Sequence, residues 1–115
     1  MSREIKFRAW DNRKKTFLHS SFGDKMFPDF IKRVNYSQGR YVLEQFTGLT
    51  DKNGKEIYEG DIVKHEYLGT GEVKWDEIIT GFYIHVDASD EGCLYLSNPG
   101  TGKVEVEIIG NIHEN

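Results

Sequence analysis

Four histidines, one cysteine and several acid pairs are the groups from which this chain could build a reactive site. His19, His65, His85 and His113 are scattered, with no pair spaced to place two ligands on one element, so a metal site lacks its starting requirement. Tyr83, His85 and Asp87 share one face of an expected strand. Acid–base or metal chemistry there needs a further converging group, and a solvated strand face accounts for the trio. Cys93 with a histidine could form a nucleophile pair, yet between Gly92 and Leu94 it fits a small buried apolar residue better. Asp76-Glu77 and Asp90-Glu91 are immediate neighbours. Neighbours on a strand point to opposite faces, which suits turns and solvation and not a carboxylate dyad.

Two loop motifs fail on spacing. Asp51-Lys52-Asn53-Gly54-Lys55-Glu56 has the composition of a calcium loop, but the EF-hand needs Gly sixth and a bidentate acid twelfth. Here Gly54 is fourth and Ile62 twelfth. Gly100-Thr101-Gly102-Lys103 has Ser97 and Val104 where a phosphate loop needs Gly and Ser or Thr. No catalytic, cofactor-binding or metal-binding residue is assigned, and we expect a protein that is not an enzyme and carries no cofactor.

Basic residues are the remaining candidates. Arg3, Lys6, Arg8, Arg13, Lys14 and Lys15 cluster near Trp10 and Phe17. Lys6 and Arg8 on one strand face, with the following turn, would form a patch able to bind phosphates and to stack bases on an exposed aromatic. Arg3, Lys6, Arg8, Lys14 and Lys15 are therefore the candidate nucleic-acid or partner contacts. Against the nucleic-acid option, the sequence pI is about 5.5, unlike a dedicated nucleic-acid domain, and Phe7 is expected in the core.

The charge is divided along the chain. Met1 to Arg40 holds ten Lys or Arg against four Asp or Glu, whereas Tyr41 to Asn115 holds five against fifteen. Such asymmetry fits a contact with nucleic acid or a membrane surface, a contact between the basic part of one copy and the acidic part of another, or simple neutralisation within one fold. The 115 residues suit one domain, which we divide into a basic arm over 1–40 and an acidic core over 41–115. Twelve Gly against two Pro, with 37% apolar residues, favours a turn-rich β fold with one core. MSREIKFRAW is charged from the outset and has no secretory apolar run; no stretch approaches the ~18 apolar residues of a membrane span. A lone cysteine forms no intramolecular disulfide. The expectation is a cytoplasmic protein with no membrane partner.

The elements that must position these residues are mainly strands. Ile5, Phe7 and Ala9 alternate with Lys6 and Arg8, the pattern of a half-buried strand, and Thr16 to His19 can pair back on it. Phe27, Phe30, Ile31 and Val34, with Pro28-Asp29 for a first turn, allow a short helix. Ser37-Gln38-Gly39 equally allows a hairpin arm near residues 28–36. Tyr41 to Phe46 is strand-like, and the turn over Asp51 to Gly54 has Asp to cap it and Gly for a left-handed last position. Glu59-Gly60-Asp61 turns into a strand from Asp61 to Tyr67. Further strands follow at Glu72–Asp76, Gly81–Val86, Cys93–Leu96 and Val104–Ile109. Short strands at regular spacing imply a sandwich or small barrel, and a barrel would remove exposed edges. We expect a mostly-β chain forming a small, SH3-like, partly open barrel of short antiparallel strands, with Asp51, Gly54 and Gly60 as structural turn residues.

Three stretches carry a family resemblance: Arg3-Glu4-Ile5-Lys6-Phe7-Arg8-Ala9-Trp10-Asp11; Gln45-Phe46-Thr47-Gly48-Leu49 through Asp51-Lys52-Asn53-Gly54-Lys55-Glu56-Ile57-Tyr58-Glu59-Gly60-Asp61-Ile62-Val63; and Ile109-Gly110-Asn111-Ile112-His113-Glu114-Asn115. They resemble the YopX family of phage and prophage proteins, and Gly71-Glu72-Val73-Lys74-Trp75-Asp76 fits its middle. The motifs do not reach Ser20–Arg40 or Asp90–Gly102. The resemblance implies a protein thought to form multi-subunit assemblies, and no catalytic residue to carry over. The Glu-Gly-Asp-Ile-Val turn also resembles the strand entry of SH3-like barrels, a fold that hosts many functions. We expect a phage or prophage accessory protein that acts as a homo-oligomeric binding or assembly module, with a phage or host protein as a further partner. Nucleic-acid binding through the basic segment is the alternative.

Overall fold

Alternation at the N-terminal end becomes the first strand of a computed structural model that describes residues 5–36, 38–66, 69–78, 80–86, 93–95 and 103–114. Strand β1 (Lys6–Asp11) turns back into β2 (Thr16–Ser21), and Ala9 stands opposite Leu18. Helix α1 (Phe27–Asn35) follows. Of the two conformations open to residues 28–36 in the sequence, the helix forms. Pro28 sits in the first turn, where its missing N–H costs nothing, with Asp29 beside it and Lys32 and Arg33 in the last turn, the charge order that complements the helix dipole. Phe27, Phe30, Ile31 and Val34 make one stripe and pack with Phe7, Ala9, Leu18 and Tyr41.

Strand β3 (Tyr41–Thr50) lies on the other side of β1, with Leu43 opposite Ala9. The chain divides into two compact units, Met1–Phe46 and Thr47–Asn115, and β3 runs through the boundary. The sequence places the change of charge at Arg40; the structural boundary lies slightly later, within this strand.

The second unit continues with β4 (Glu56–Tyr58), β5 (Asp61–His65), β6 (Gly69–Asp76), β7 (Gly81–Val86), β8 (Cys93–Tyr95) and β9 (Val106–Asn111). Its core is Leu49, Ile57, Val63, Val73, Phe82, Ile84 and Val106, with Val104 and Ile108 packed against it. The alternating apolar positions of β6 and β7 account for Val73, Phe82 and Ile84 facing inward. Trp75, expected on the same face as Val73, lies next to the last residue of the strand and is partly exposed, with its ring edge-on to Phe82 at 4.9 Å. In β9 the register shifts: Ile62 pairs with Gly110 but Val63 pairs with Ile108. The extra residue, Ile109, is left out of the pairing, as a β-bulge requires, and is exposed.

The mostly-β class and the antiparallel strand pairing agree with the sequence, which left a short helix and a hairpin arm both open over residues 28–36. The strand orders are β2-β1-β3-β4 and β8-β7-β6-β5-β9, two sheets that form no closed barrel among the described residues.

Candidate functional site

In the first unit, Asp11 ends β1 and its buried carboxylate collects the chain around it. Oδ1 accepts the backbone N–H groups of Arg13 (2.9 Å) and Lys14 (3.2 Å) and the Nε–H of Arg40 (3.0 Å); Oδ2 accepts from Nη2 of Arg40 at 3.0 Å. The fork of Arg40 on Asp11 is the bidentate geometry that favours arginine over lysine. It holds the Asp11 carboxyl well below the ordinary carboxylate range against the opposing effect of burial, with the two backbone donors helping. The same hydrogen bond raises the Arg40 guanidinium. Asn12 reinforces the join: its N–H donates to the Arg40 carbonyl at 2.8 Å and its side-chain amide to Gly39.

Beside this join is an open concavity of about 660 Å³, bordered by Asn12, Arg13, Arg33, Gly39, Arg40 and Tyr41. Two guanidinium groups lie over the Tyr41 ring, that of Arg40 at 5.2 Å and that of Arg33 at 5.7 Å from its centre, distances at which cation–π attraction operates. Tyr41 is only 7% exposed, and its buried hydroxyl has no hydrogen-bond partner among the described residues.

The basic residues singled out in the sequence are distributed differently. Arg3 lies outside the described residues. Lys6 has its ammonium 5.3 Å above the Phe46 ring. Arg8 shares the Lys6 face of β1 but is buried: its Nε donates to Glu44 Oε1 at 2.8 Å, and its guanidinium stacks 4.2 Å from the Phe17 ring centre. Lys14 and Lys15 are exposed in the β1–β2 turn, next to Arg13. The structure therefore groups Arg13, Lys14 and Lys15 on one turn and places Arg8 inside an ion pair. Sequence reasoning missed Arg33 and Arg40. The close sequence signal for Arg40 was its place before the strand that pairs with Asp11; Arg33 could be oriented only once residues 28–36 were known to be helical.

In the second unit the turn after β3 is held by Asp51, which is fully buried. Its Oδ1 accepts the N–H groups of Asn53 and Lys55, both at 2.9 Å, while Oδ2 accepts that of Ile108 on β9 at 3.0 Å. Burial pushes this carboxyl up, but the three donors and the nearby Lys55 charge outweigh it and the group is lowered. All these partners are main-chain donors, so this side chain holds the turn together and ties it to β9. Gly54 (φ 84°) and Gly60 (φ 88°) occupy left-handed positions that glycine adopts without strain. The Gly60 N–H donates to the Val73 carbonyl, its carbonyl accepts from Ile112, and Asp61 accepts the Tyr58 N–H.

Of the residues weighed for catalysis, Asp87 lies outside the described residues. His85 stands in register opposite Glu72 on one side and Cys93 on the other, and Tyr83 stands opposite Tyr95. Among the described residues no three His, Cys, Asp or Glu side chains converge to hold a metal, and no helix is long and apolar enough to cross a membrane.

The family model for the YopX protein matches residues 6–115. The chain belongs to the YopX family. The match runs through the stretches around residues 20–40 and 90–102 that the sequence motifs leave out. This YopX-family chain is also similar in structure to protein EF1440 from Enterococcus faecalis, solved by crystallography. The TM-score is 0.63 and the sequence identity 27%, over 99% of this chain and 96% of that one. Comparison with curated proteins gave no match.

Proposed function

We propose that this YopX-family chain is a non-enzymatic phage or prophage accessory protein that acts in the cytoplasm as a homo-oligomeric binding or assembly module. The observation that carries the reading is that the two compact units carry opposite net charge. The unit Met1–Phe46 holds ten Lys or Arg against five Asp or Glu, and the unit Thr47–Asn115 holds five against fourteen. Charge therefore changes sign from one compact unit to the next. A chain built of two oppositely charged units is complementary to copies of itself, and repeated basic-to-acidic contacts are heterologous, closing into a ring where the rotation allows. A phage or host protein with a strongly acidic or basic face would meet the same surfaces. Light scattering at micromolar concentration tests the reading. Oligomers at low salt that dissociate as salt screens the charges are expected; monomer at every salt concentration overturns it.

The alternative, nucleic-acid binding by Arg3, Lys6, Arg8, Lys14 and Lys15, is supported by the exposure of Lys14 and Lys15 on one turn. The Arg8–Glu44 pair weighs against it, because a buried, neutralised guanidinium is not available to a phosphate. A gel-shift series at low salt decides: retention that falls steeply with salt favours this alternative, and no retention excludes it.

A further inference from the structure

We propose that the concavity between the β1–β2 turn, the end of α1 and the start of β3 is a binding site for a phosphate monoester group, held by Arg13 and Arg33 with Arg40 as a fixed third donor. This goes beyond the assembly reading and does not depend on it. Three arginines line the site from three separate segments of the first unit. Their charges are not equally available. Arg40 is compensated by its two bonds to Asp11. Arg13 and Arg33 form no ion pair among the described residues, and both are exposed. Two uncompensated positive charges match the roughly −1.5 to −2 charge of a phosphate monoester near neutral pH, whereas a single carboxylate would balance only one of them. Guanidinium forks suit phosphate oxygens in bidentate geometry.

The site is also braced. Asp11 fixes Arg40, and the Tyr41 ring lies beneath Arg33 and Arg40, so two of the three donors are held before a ligand arrives, which lowers the ordering cost of binding. The Tyr41 hydroxyl is buried and has no hydrogen-bond partner among the described residues. A buried hydroxyl in that condition is unusual and calls for an explanation. A groove in the second unit, lined by Lys52, Lys64, His65, Glu66, Glu105 and Glu107 and of about 580 Å³, offers a contrast. Opposite charges already meet there, with Lys52 and Glu107 3.8 Å apart, so it has no comparable surplus.

Two sources could supply the group: a small phosphorylated molecule or the phosphorylated end of a nucleic acid. The test is a titration of the full chain with inorganic phosphate at low ionic strength, followed through the backbone amides of residues 12–15 and 38–41. Acetate serves as the control anion. Saturable shifts confined to these amides are expected with phosphate and not with acetate. Arg13→Gln and Arg33→Gln should each weaken phosphate binding by about tenfold, the loss of one hydrogen bond to a charged group. Both are exposed positions, and unchanged thermal melting establishes that each variant folds. In a parallel arm, a short single-stranded oligonucleotide is added with and without a 5′-phosphate. Shifts at the same amides only with the phosphorylated form support the site with a nucleic-acid end as source. Phosphate shifts with neither oligonucleotide acting there support it with a small molecule as source. The absence of local shifts, an equal response to acetate, or phosphate binding that survives Arg13→Gln/Arg33→Gln overturns the proposal.

Discussion

Asp51 and Ile108 are joined by a hydrogen bond from the Ile108 N–H to the Asp51 carboxylate at 3.0 Å, across 57 residues of chain. The same side chain accepts two N–H groups of its own turn, so one buried carboxylate fixes a tight turn and pins it to β9. The carboxylate takes the place that a neighbouring strand would otherwise fill in satisfying β9, since buried main-chain donors must be paired somewhere. Asp51→Ala leaves three donors without this acceptor. An unsatisfied buried donor costs about 1–3 kcal/mol; the N–H groups of the exposed Asn53 and Lys55 can turn to water, so a loss of about 1–3 kcal/mol in urea unfolding is expected. Asp51→Asn, which keeps one acceptor oxygen, should lose less. Calcium should leave the melting temperature unchanged in the unaltered chain, because the carboxylate already has main-chain donors.

The Asp11–Arg40 pair sets a dependence on acid. The folded-state carboxyl is lowered from its ordinary value of 3.8, chiefly by the Arg40 side chain. A lowered folded pKa means that the stabilisation is complete above the unfolded value and is lost as pH falls through the folded one. Arg40→Gln should therefore be less stable than the unaltered chain by a constant margin from neutral pH down to about 4. The margin should shrink at lower pH as Asp11 protonates in both proteins. Chemical denaturation at a series of pH values measures it; a margin that widens with acid would contradict the linkage.

Local patterns in the sequence reach much of this architecture and stop where pairing over distance decides. Alternation in Ile5–Ala9 and Phe82–Val86 and the turn chemistry of Asp51 and Gly54 depend on neighbours, and each is visible in the residues themselves. The second role of Asp51 is not visible, because its partner on β9 is distant in the chain. The β9 bulge likewise requires the β5 register and leaves no mark in the alternation of Val104–Ile109. The basic patch shows the same limit. Lys6 and Arg8 do share a strand face, but only the register that puts Glu44 opposite Arg8 reveals that the guanidinium is neutralised. Arg13, Arg33 and Arg40 line one concavity only because a turn, a helix end and a strand start converge, and no spacing in the sequence encodes that.

Gly71 on β6 is buried against the paired strand β7. A Cβ placed there would lie 2.6 Å from Cγ2 of Ile84 and still closer to the His85 carbonyl oxygen. The oxygen belongs to the main chain of the paired strand and cannot swing aside. Gly71→Ala should therefore separate β6 from β7 and cost at least the roughly 1–3 kcal/mol typical of an overpacked core. Faster amide hydrogen exchange in β6 and β7, with a lower urea midpoint, is the expected signature. Unchanged exchange in those strands would show that the backbones do not need this approach.

Arg8 provides the sharpest separation between a structural and a binding role for the basic N-terminal segment. Its side chain is 8% exposed and that of Glu44 3%, with 2.8 Å between Nε and Oε1. Removing one member of a buried pair strands the other charge, which typically costs about 3–5 kcal/mol. Arg8→Met and Glu44→Leu should each destabilise the chain by an amount of that order. The double variant should recover part of the loss, because neither member of the pair is left without the other. If Arg8 served as a phosphate contact, Arg8→Met would instead reduce the salt dependence of nucleic-acid binding at unchanged stability. A double-mutant cycle in urea with oligonucleotide binding measured on the same four proteins distinguishes the two. Strong coupling between Arg8 and Glu44, with no effect of Arg8→Met on oligonucleotide binding, is the expected outcome.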